Sequence, residues 1–316
     1  MDIKMGEIAL VTGGAGFIGS HLCEYLLEKG FKVICVDNLS TGSEENIKHL
    51  KNNKNFKFLK KDVREDLDIN EKIDYIFDLA SRASPKDFRI YPIDILTTNG
   101  LGVYNLLKIA EKNKAKFLFS STSEVYGDPK EHPQKETCWG NVNPIGIRGC
   151  YDEAKRFAEA MVMAFVRERV LDARIIRIFN TYGPRLNEYD GRVVSNFITQ
   201  ALKNEPLTVY GDGNQTRSFC YVSDTVEGIY KVMMNGEKGE VYNLGNEEEY
   251  KILDIAKIIK NLTNSDSEIV FKDLPEDDPK IRKPDISKAR KYLNWESKVK
   301  LKEGLERTIE YFKKKI

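Results

Sequence analysis

Three glycines spaced three apart, Gly13, Gly16 and Gly19, constrain this chain more than any other feature. They follow a short apolar run, Ile8 to Thr12, and precede Ser20 to Lys29, whose apolar residues recur at helical spacing until Gly30 ends the run. A strand that passes through glycines into a helix brings backbone amides up to an anion, and a pyrophosphate fits this spacing. The next strand, Phe31 to Asp37, ends in a carboxylate 18 residues beyond Gly19. A carboxylate there accepts hydrogen bonds from both hydroxyls of an adenosine ribose and repels a 2'-phosphate, so the pattern points to NAD rather than NADP. Asp62 and Val63, after a third strand, stand where an adenine contact is expected.

Further apolar runs at Phe56 to Lys60, Tyr75 to Ala80, Lys116 to Ser120 and Arg174 to Ile178 are separated by stretches long enough for helices. Alternating strands and helices predict an α/β fold with a Rossmann-like, doubly wound parallel sheet. Beyond residue 180 the pattern breaks up among Pro184, Pro206, Pro275, Pro279 and Pro284, as expected of a smaller C-terminal α/β lobe. The expected division is a NAD-binding domain over 1–180 with a return segment near 218–245, and a second lobe over 181–217 and 246–316.

Composition narrows the function. Fifty Lys and Arg against 49 Asp and Glu leave no broad basic field for nucleic acid or an anionic membrane, so an anionic ligand must be held by local arginines. No apolar run approaches the roughly 18 residues of a membrane span. The five cysteines form no C-x-x-C pair, and His21, His49 and His132 are scattered, which argues against a disulfide framework and a metal site. A short charged start runs directly into the first strand with no room for a signal peptide, so a cytoplasmic location is expected.

Tyr-x-x-x-Lys sets a phenol and an ammonium one turn apart on a helix, where the cation lowers the phenol pKa and orients a nicotinamide ribose. Four copies occur, at Tyr25/Lys29, Tyr104/Lys108, Tyr151/Lys155 and Tyr311/Lys315. Only Tyr151 follows a strand that ends in a hydroxyl-rich turn, Ser120-Ser-Thr-Ser-Glu124, able to polarise the same substrate oxygen. Its helix is expected to bury Ala154, Phe157, Ala158, Met161, Val162 and Phe165.

The segments Thr12 to Gly19, Tyr151/Lys155, Arg177-Ile-Phe-Asn-Thr-Tyr-Gly-Pro-Arg185 and Val209 to Arg217 resemble the extended short-chain dehydrogenase/reductase family over essentially the whole chain. Thr122 to Pro129, Trp139 to Gly146, Cys150-Tyr-Asp-Glu153, Asp190 to Phe197 and Asp277 to Asp285 look most like its UDP-glucuronate decarboxylases, also called UDP-xylose synthases. The resemblance implies oxidation at carbon 4 of the sugar by Tyr151, Lys155 and Thr122, with NAD taking the hydride. Glu124 is then expected to position water or move protons, and Arg282 to steady the carboxylate and enolate. It also implies cofactor contacts at Phe17, Ile18, Asn38, Thr41, Gly42, Leu79, Ala80 and Asn99. A UDP-sugar is expected at Asn180, Arg185, Arg192, Phe197, Tyr210, Gln215 and Arg217, in a homodimer.

Sister chemistries differ near Glu124. The family's 4,6-dehydratases carry Asp-Glu after the threonine where this chain has Ser123-Glu124, and its 4-epimerases usually have a small residue at the Glu124 position. A UDP-glucose or UDP-glucuronate 4-epimerase is the second reading, and a sensor that only binds is a third. The chain also departs from the decarboxylase pattern, with Asp78 for a usual histidine, Arg82 and Ile147 for usual prolines, and Cys138 for a usual aromatic. Arg82 is expected near the sugar carboxylate.

Overall fold

The computed structural model describes residues 6–274 and 281–316; Pro275, Pro279 and the Asp277 to Lys280 part of the decarboxylase-like segment lie outside the described residues. Strands β1 (Ile8–Thr12), β2 (Lys32–Val36), β3 (Phe56–Leu59), β4 (Tyr75–Asp78), β5 (Lys116–Thr122) and β6 (Ala173–Ile178) lie parallel in one sheet. The later strands are β7 (Thr181–Tyr182), β8 (Leu207–Tyr210), β9 (Thr216–Ser218), β10 (Cys220–Tyr221), β11 (Val241–Leu244), β12 (Glu249–Lys251), β13 (Ile269–Lys272) and β14 (Ile281–Arg282). β11 completes the large sheet in the order β11-β6-β5-β4-β1-β2-β3, while β7 pairs with β10, β8 with β13, and β9 lies between β12 and β14. Chain order reverses between β1 and β4, and the C-terminal ends of strands at such a switch point form a ligand crevice.

Sheet pleating sends alternate residues to opposite faces, and both faces are covered, which is why the strands read as nearly continuous apolar runs. Ala9, Val11, Cys35 and Phe77 face one core with Leu22, Cys23 and Leu26 of α1 (Phe17–Glu28). Leu10, Ile34, Ile76, Phe117 and Phe119 face the other. Short helices α2 (Asp87–Ile90) and α3 (Pro92–Thr97) lead to α4 (Val103–Asn113), which with α5 (Gly149–Glu168) covers that second face.

Two expectations change. α1 begins at Phe17 rather than Ser20, because Gly19 can lie in its first turn directly against Gly13. On α5, Ala154, Ala158 and Val162 are buried, but Phe157 is 57% exposed. Val103, Leu106, Leu107 and Ala110 of α4 all belong to the core.

Candidate active site

A cleft of about 460 Å³ opens at the C-terminal ends of β1, β4, β5 and β6. Gly13 adopts φ +65°, and a Cβ there would lie 2.6 Å from the Leu79 carbonyl oxygen. A Cβ on Gly19 would lie 2.1 Å from the Gly13 oxygen, so the helix can approach the turn only without a side chain. No side chain caps α1, which leaves its positive end facing the cleft for an anion. At the end of β2, Asp37 Oδ2 accepts from Ala15 N (3.0 Å) and Oδ1 from Leu39 N (2.8 Å). Burial raises its carboxyl pKa, opposed by those amides. The lining formed by Gly16, Phe17, Ile18 and Asp37 thus fits a dinucleotide: a glycine cradle at an uncapped helix end, followed by a buried acceptor.

The remaining expected cofactor residues divide. Asn38, Thr41, Asp62, Val63, Leu79 and Ala80 line the cleft. Asp62 is forked onto Arg64 (2.7 and 2.8 Å) and accepts from Asn38 Nδ2 (2.8 Å), and the Arg64 bond leads in lowering its pKa to about 2. Gly42 and Asn99 stand behind the wall. A Cβ on Gly42 would meet both Asp37 carboxylate oxygens at 2.9 Å, so its smallness makes room for Asp37. Asn99 is fully buried and donates to Ser81 Oγ (3.0 Å) and to the Ile95 carbonyl (2.9 Å), so it braces the loop after β4.

Tyr151 and Lys155 are both buried in this wall, whereas Tyr104 is 43% exposed and Tyr25 and Tyr311 lie partly exposed. The Tyr151 ring stacks on Phe88 at 5.1 Å, and Thr122 is the foremost polar side chain acting on its phenol. Thr122 Oγ1 also accepts from Glu124 N (3.2 Å), which holds the turn after β5 in place. Lys155 Nζ donates to the Ser120 carbonyl (2.8 Å) and lies 4.7 Å from the centre of the Phe119 ring. The expected lowering of the phenol pKa by Lys155 is not what the structure has. Burial raises the Tyr151 pKa, with Thr122 and Arg192 opposing, while burial lowers the Lys155 pKa to about 8. The ammonium is hydrogen-bonded at the strand end and lies 6.0 Å from the centre of the Tyr151 ring.

Glu124 and Arg282 meet directly. Both Arg282 terminal nitrogens donate to the Glu124 carboxylate, one of them at 2.7 Å, and Arg148 Nη2 donates to the same group. Burial alone would raise the Glu124 pKa, but Arg282 and then Arg148 outweigh it and bring it to about 2. Asp152 behaves oppositely: burial and the Glu124 charge push it up to about 7, and its Oδ1 meets no hydrogen-bond partner among the described residues. Arg148 and Asp152 escape a reading centred on Tyr151. Their signal is spacing, since Arg148 enters the same first turn three residues before the tyrosine.

Asn180, Arg192, Phe197, Tyr210, Gln215 and Arg217 also line the cleft, Arg217 in register beside Arg282. Arg192 leans on Asp190, with Nη2 to Oδ1 at 3.0 Å, and Arg217 is buried with Nη1 donating to the Thr216 carbonyl (2.9 Å). Arg185 also lines the cleft, but it is paired with Glu24 of α1 (2.7 Å), on the dinucleotide side. Arg82 lines the cleft as well, but with its charge committed to neighbouring carboxylates. Its guanidinium is held by Asp94 (2.9 Å) and Asp87 (3.1 Å) and lies 4.0 Å from the Tyr91 ring centre, so its charge is already spent on α2 and α3.

A doubly wound sheet with a glycine turn, a strand-end carboxylate and a buried Tyr-x-x-x-Lys pair places the chain in the extended short-chain dehydrogenase/reductase family, to which it belongs. The family model described as GDP-mannose 4,6 dehydratase matches residues 10–308. Within that family, UDP-glucuronic acid decarboxylase 1 of Arabidopsis thaliana is 51% identical over 307 residues, spanning 97% of this chain and 70% of that protein. UDP-glucose 4-epimerase of Thermotoga maritima, solved with UDP-glucose, has a TM-score of 0.90 at 35% identity, covering 98% of this chain and 99% of that one. A mutant UDP-glucuronic acid 4-epimerase of Bacillus cereus was solved with UDP-4-deoxy-4-fluoro-glucuronic acid and NAD. Its TM-score is 0.87 at 30% identity, covering 98% of this chain and all of that one.

Proposed function

We propose that the protein is an NAD-retaining UDP-glucuronate decarboxylase that forms UDP-xylose and carbon dioxide. The observation that carries the reading is the Arg148–Glu124–Arg282 cluster beside Tyr151 and Thr122. Two cations sharing one anion leave an excess positive charge for the carboxylate of a glucuronate. Half-identity with decarboxylases over nearly the whole chain supports it.

Bound NAD supplies a reversible hydride acceptor, held by the glycine turn and Asp37. Tyr151 takes the proton of the carbon 4 hydroxyl, and Thr122 hydrogen-bonds the same oxygen as it becomes a ketone. That ketone lies β to the carboxylate. The bond to the carboxyl carbon breaks, carbon dioxide leaves, and the electron pair remains as an enolate whose charge Arg282 and Arg148 offset. Glu124, held ionised, orients the water that protonates carbon 5, the hydroxide left behind taking up a proton from solvent, and Tyr151 returns its proton to the carbon 4 oxygen as the ketone is reduced. Arg192 and Arg217 hold the UDP diphosphate, with Tyr210 and Phe197 flanking the uridine and Asn180 and Gln215 lining its path. Arg185 serves the dinucleotide side.

In this reading residues 1–180 with 218–245 carry the cofactor, and 181–217 with 246–316 carry the nucleotide sugar. The protein works as a homodimer in the cytoplasm. Leu101 (50% exposed), Tyr104 (43%) and Phe157 (57%) give the joint between α4 and α5 an apolar outer face suited to a second copy. Among the described residues no helix is long and apolar enough to cross a membrane.

The test is incubation with UDP-glucuronate and NAD, with carbon dioxide measured and the product identified by proton NMR. Carbon dioxide with UDP-xylose is expected. UDP-galacturonate without carbon dioxide overturns the reading in favour of a 4-epimerase.

A further inference from the structure

We propose that Asp78 is a positioning residue for the proton-transfer pair: the buried counter-anion that keeps the Lys155 ammonium charged beside Tyr151. The proposal deepens the decarboxylase reading and rests on it only for the use to which Lys155 is put.

Register supplies the geometry. Asp78 ends β4, an otherwise apolar strand, and pairs with Thr12 on one side and Phe119 on the other. Neighbours in register project to the same face of a sheet. Asp78 therefore shares a face with the Phe119 ring, over which the ammonium of Lys155 lies at 4.7 Å. The carboxylate is 2% exposed. Its Oδ1 accepts from Thr12 Oγ1 (2.7 Å) and Ala80 N (3.3 Å), whereas Oδ2 meets no hydrogen-bond partner among the described residues. A buried carboxylate with one oxygen unsatisfied is costly unless a charge nearby offsets it.

Charge accounting around Lys155 points the same way. Among the described residues its hydrogen bond is to a neutral carbonyl, Ser120 O. The anions acting on it are Asp78 from β4 and Glu159 one turn along α5, with Tyr151 the remaining titratable group on that face. Glu159 is already forked onto Arg177 of β6, at 2.9 and 2.8 Å. Asp78 is left as the uncompensated anion. The influence is mutual, since Asp78 leads in opposing the loss of charge that burial imposes on Lys155, and Lys155 leads in opposing the rise that burial imposes on Asp78.

Two substitutions separate charge from structure. Asp78→Asn keeps the volume and the oxygen that accepts from Thr12 but removes the charge; Thr12→Ser keeps that hydrogen bond and the charge and removes only a methyl. In the NAD-loaded enzyme, Asp78→Asn is expected to lower the midpoint of the Lys155 15Nζ titration by about one pH unit or more. The alkaline limb of the kcat profile for UDP-glucuronate should move down with it, with KM little changed. Thr12→Ser is expected to leave both in place. An unmoved Lys155 titration in Asp78→Asn, or an equal shift in Thr12→Ser, overturns the proposal. Should Asp78→Asn not fold, the 13Cγ shift of Asp78 in the unsubstituted enzyme decides, because a carboxyl found protonated at pH 7 is no counter-anion. Both NMR readings are independent of substrate, so failure to decarboxylate UDP-glucuronate sinks the proposed function without touching this inference.

Discussion

Replacing Glu124 by glutamine tests the electrostatic centre of the site. The carboxyl pKa falls from 4.5 to about 2 because Arg282 and Arg148 outweigh the cost of burial. At about 1.36 kcal/mol per unit, that shift corresponds to about 3 kcal/mol of stability. The folded pKa lies below the unfolded one, so this contribution is fully present above pH 4.5 and is lost as pH falls towards 2. Glutamine imitates the protonated acid and leaves two buried guanidinium groups without their anion. Unfolding entropy of about 2.1 cal/mol/K per residue gives roughly 0.7 kcal/mol/K for a chain of this length, so Glu124→Gln is expected to lower Tm by about 5 °C at pH 7. The gap should shrink to about half by pH 3. Differential scanning calorimetry across pH 3 to 7 measures it. A gap that does not vary with pH, or a variant as stable as the parent at pH 7, would refute the reasoning. The same variant should still bind UDP-glucuronate while its release of carbon dioxide falls, since Arg192 and Arg217 are left in place to hold the diphosphate.

Tyr151→Phe is expected to reduce turnover by about 10²- to 10⁴-fold while calorimetric binding of the nucleotide sugar persists; a loss under tenfold would remove the phenol from its role. Gly19→Ala places a methyl 2.1 Å from the Gly13 oxygen, so equilibrium dialysis should show NAD binding lost from a chain that keeps its far-ultraviolet circular dichroism. Asp37→Ala removes a charged acceptor, and fluorescence titration should give NAD affinity weaker by about 10- to 100-fold, with less discrimination against NADP. Phe157→Glu puts a charge on the apolar outer face of α5; if the proposed homodimer uses that face, sedimentation velocity should find dimer for the parent and monomer for the variant.

Local rules reach far in this chain. The glycine spacing, the helix that follows and the carboxylate ending the second strand could be read directly, because each depends on residues a few places apart. Period-two burial on a sheet covered on both faces produces the apolar runs that marked the central strands, even where their ends moved by a residue or two. The Tyr151/Lys155 pair was separable from three lookalikes because it alone follows a hydroxyl-rich strand end. Phe157 was misplaced for an equally local reason: helical periodicity marks an apolar face but does not say whether that face meets the core or the outside.

Charge pairing is where locality stops. Glu124 and Arg282 are 158 residues apart, and nothing along the chain says that they touch, or that Arg148 completes the cluster. Arg82 could be placed near the sugar from its position after β4, yet Asp87 and Asp94 claim it once α2 and α3 fold back. Asp78 reads as an odd substitution until β4 is laid beside β5, when it falls on the face that holds Lys155. Backbone geometry and periodicity act over one turn or one strand and so are written in neighbouring residues. The protonation states that run the chemistry depend on desolvation and on partners brought together by the fold, and only the tertiary structure decides those.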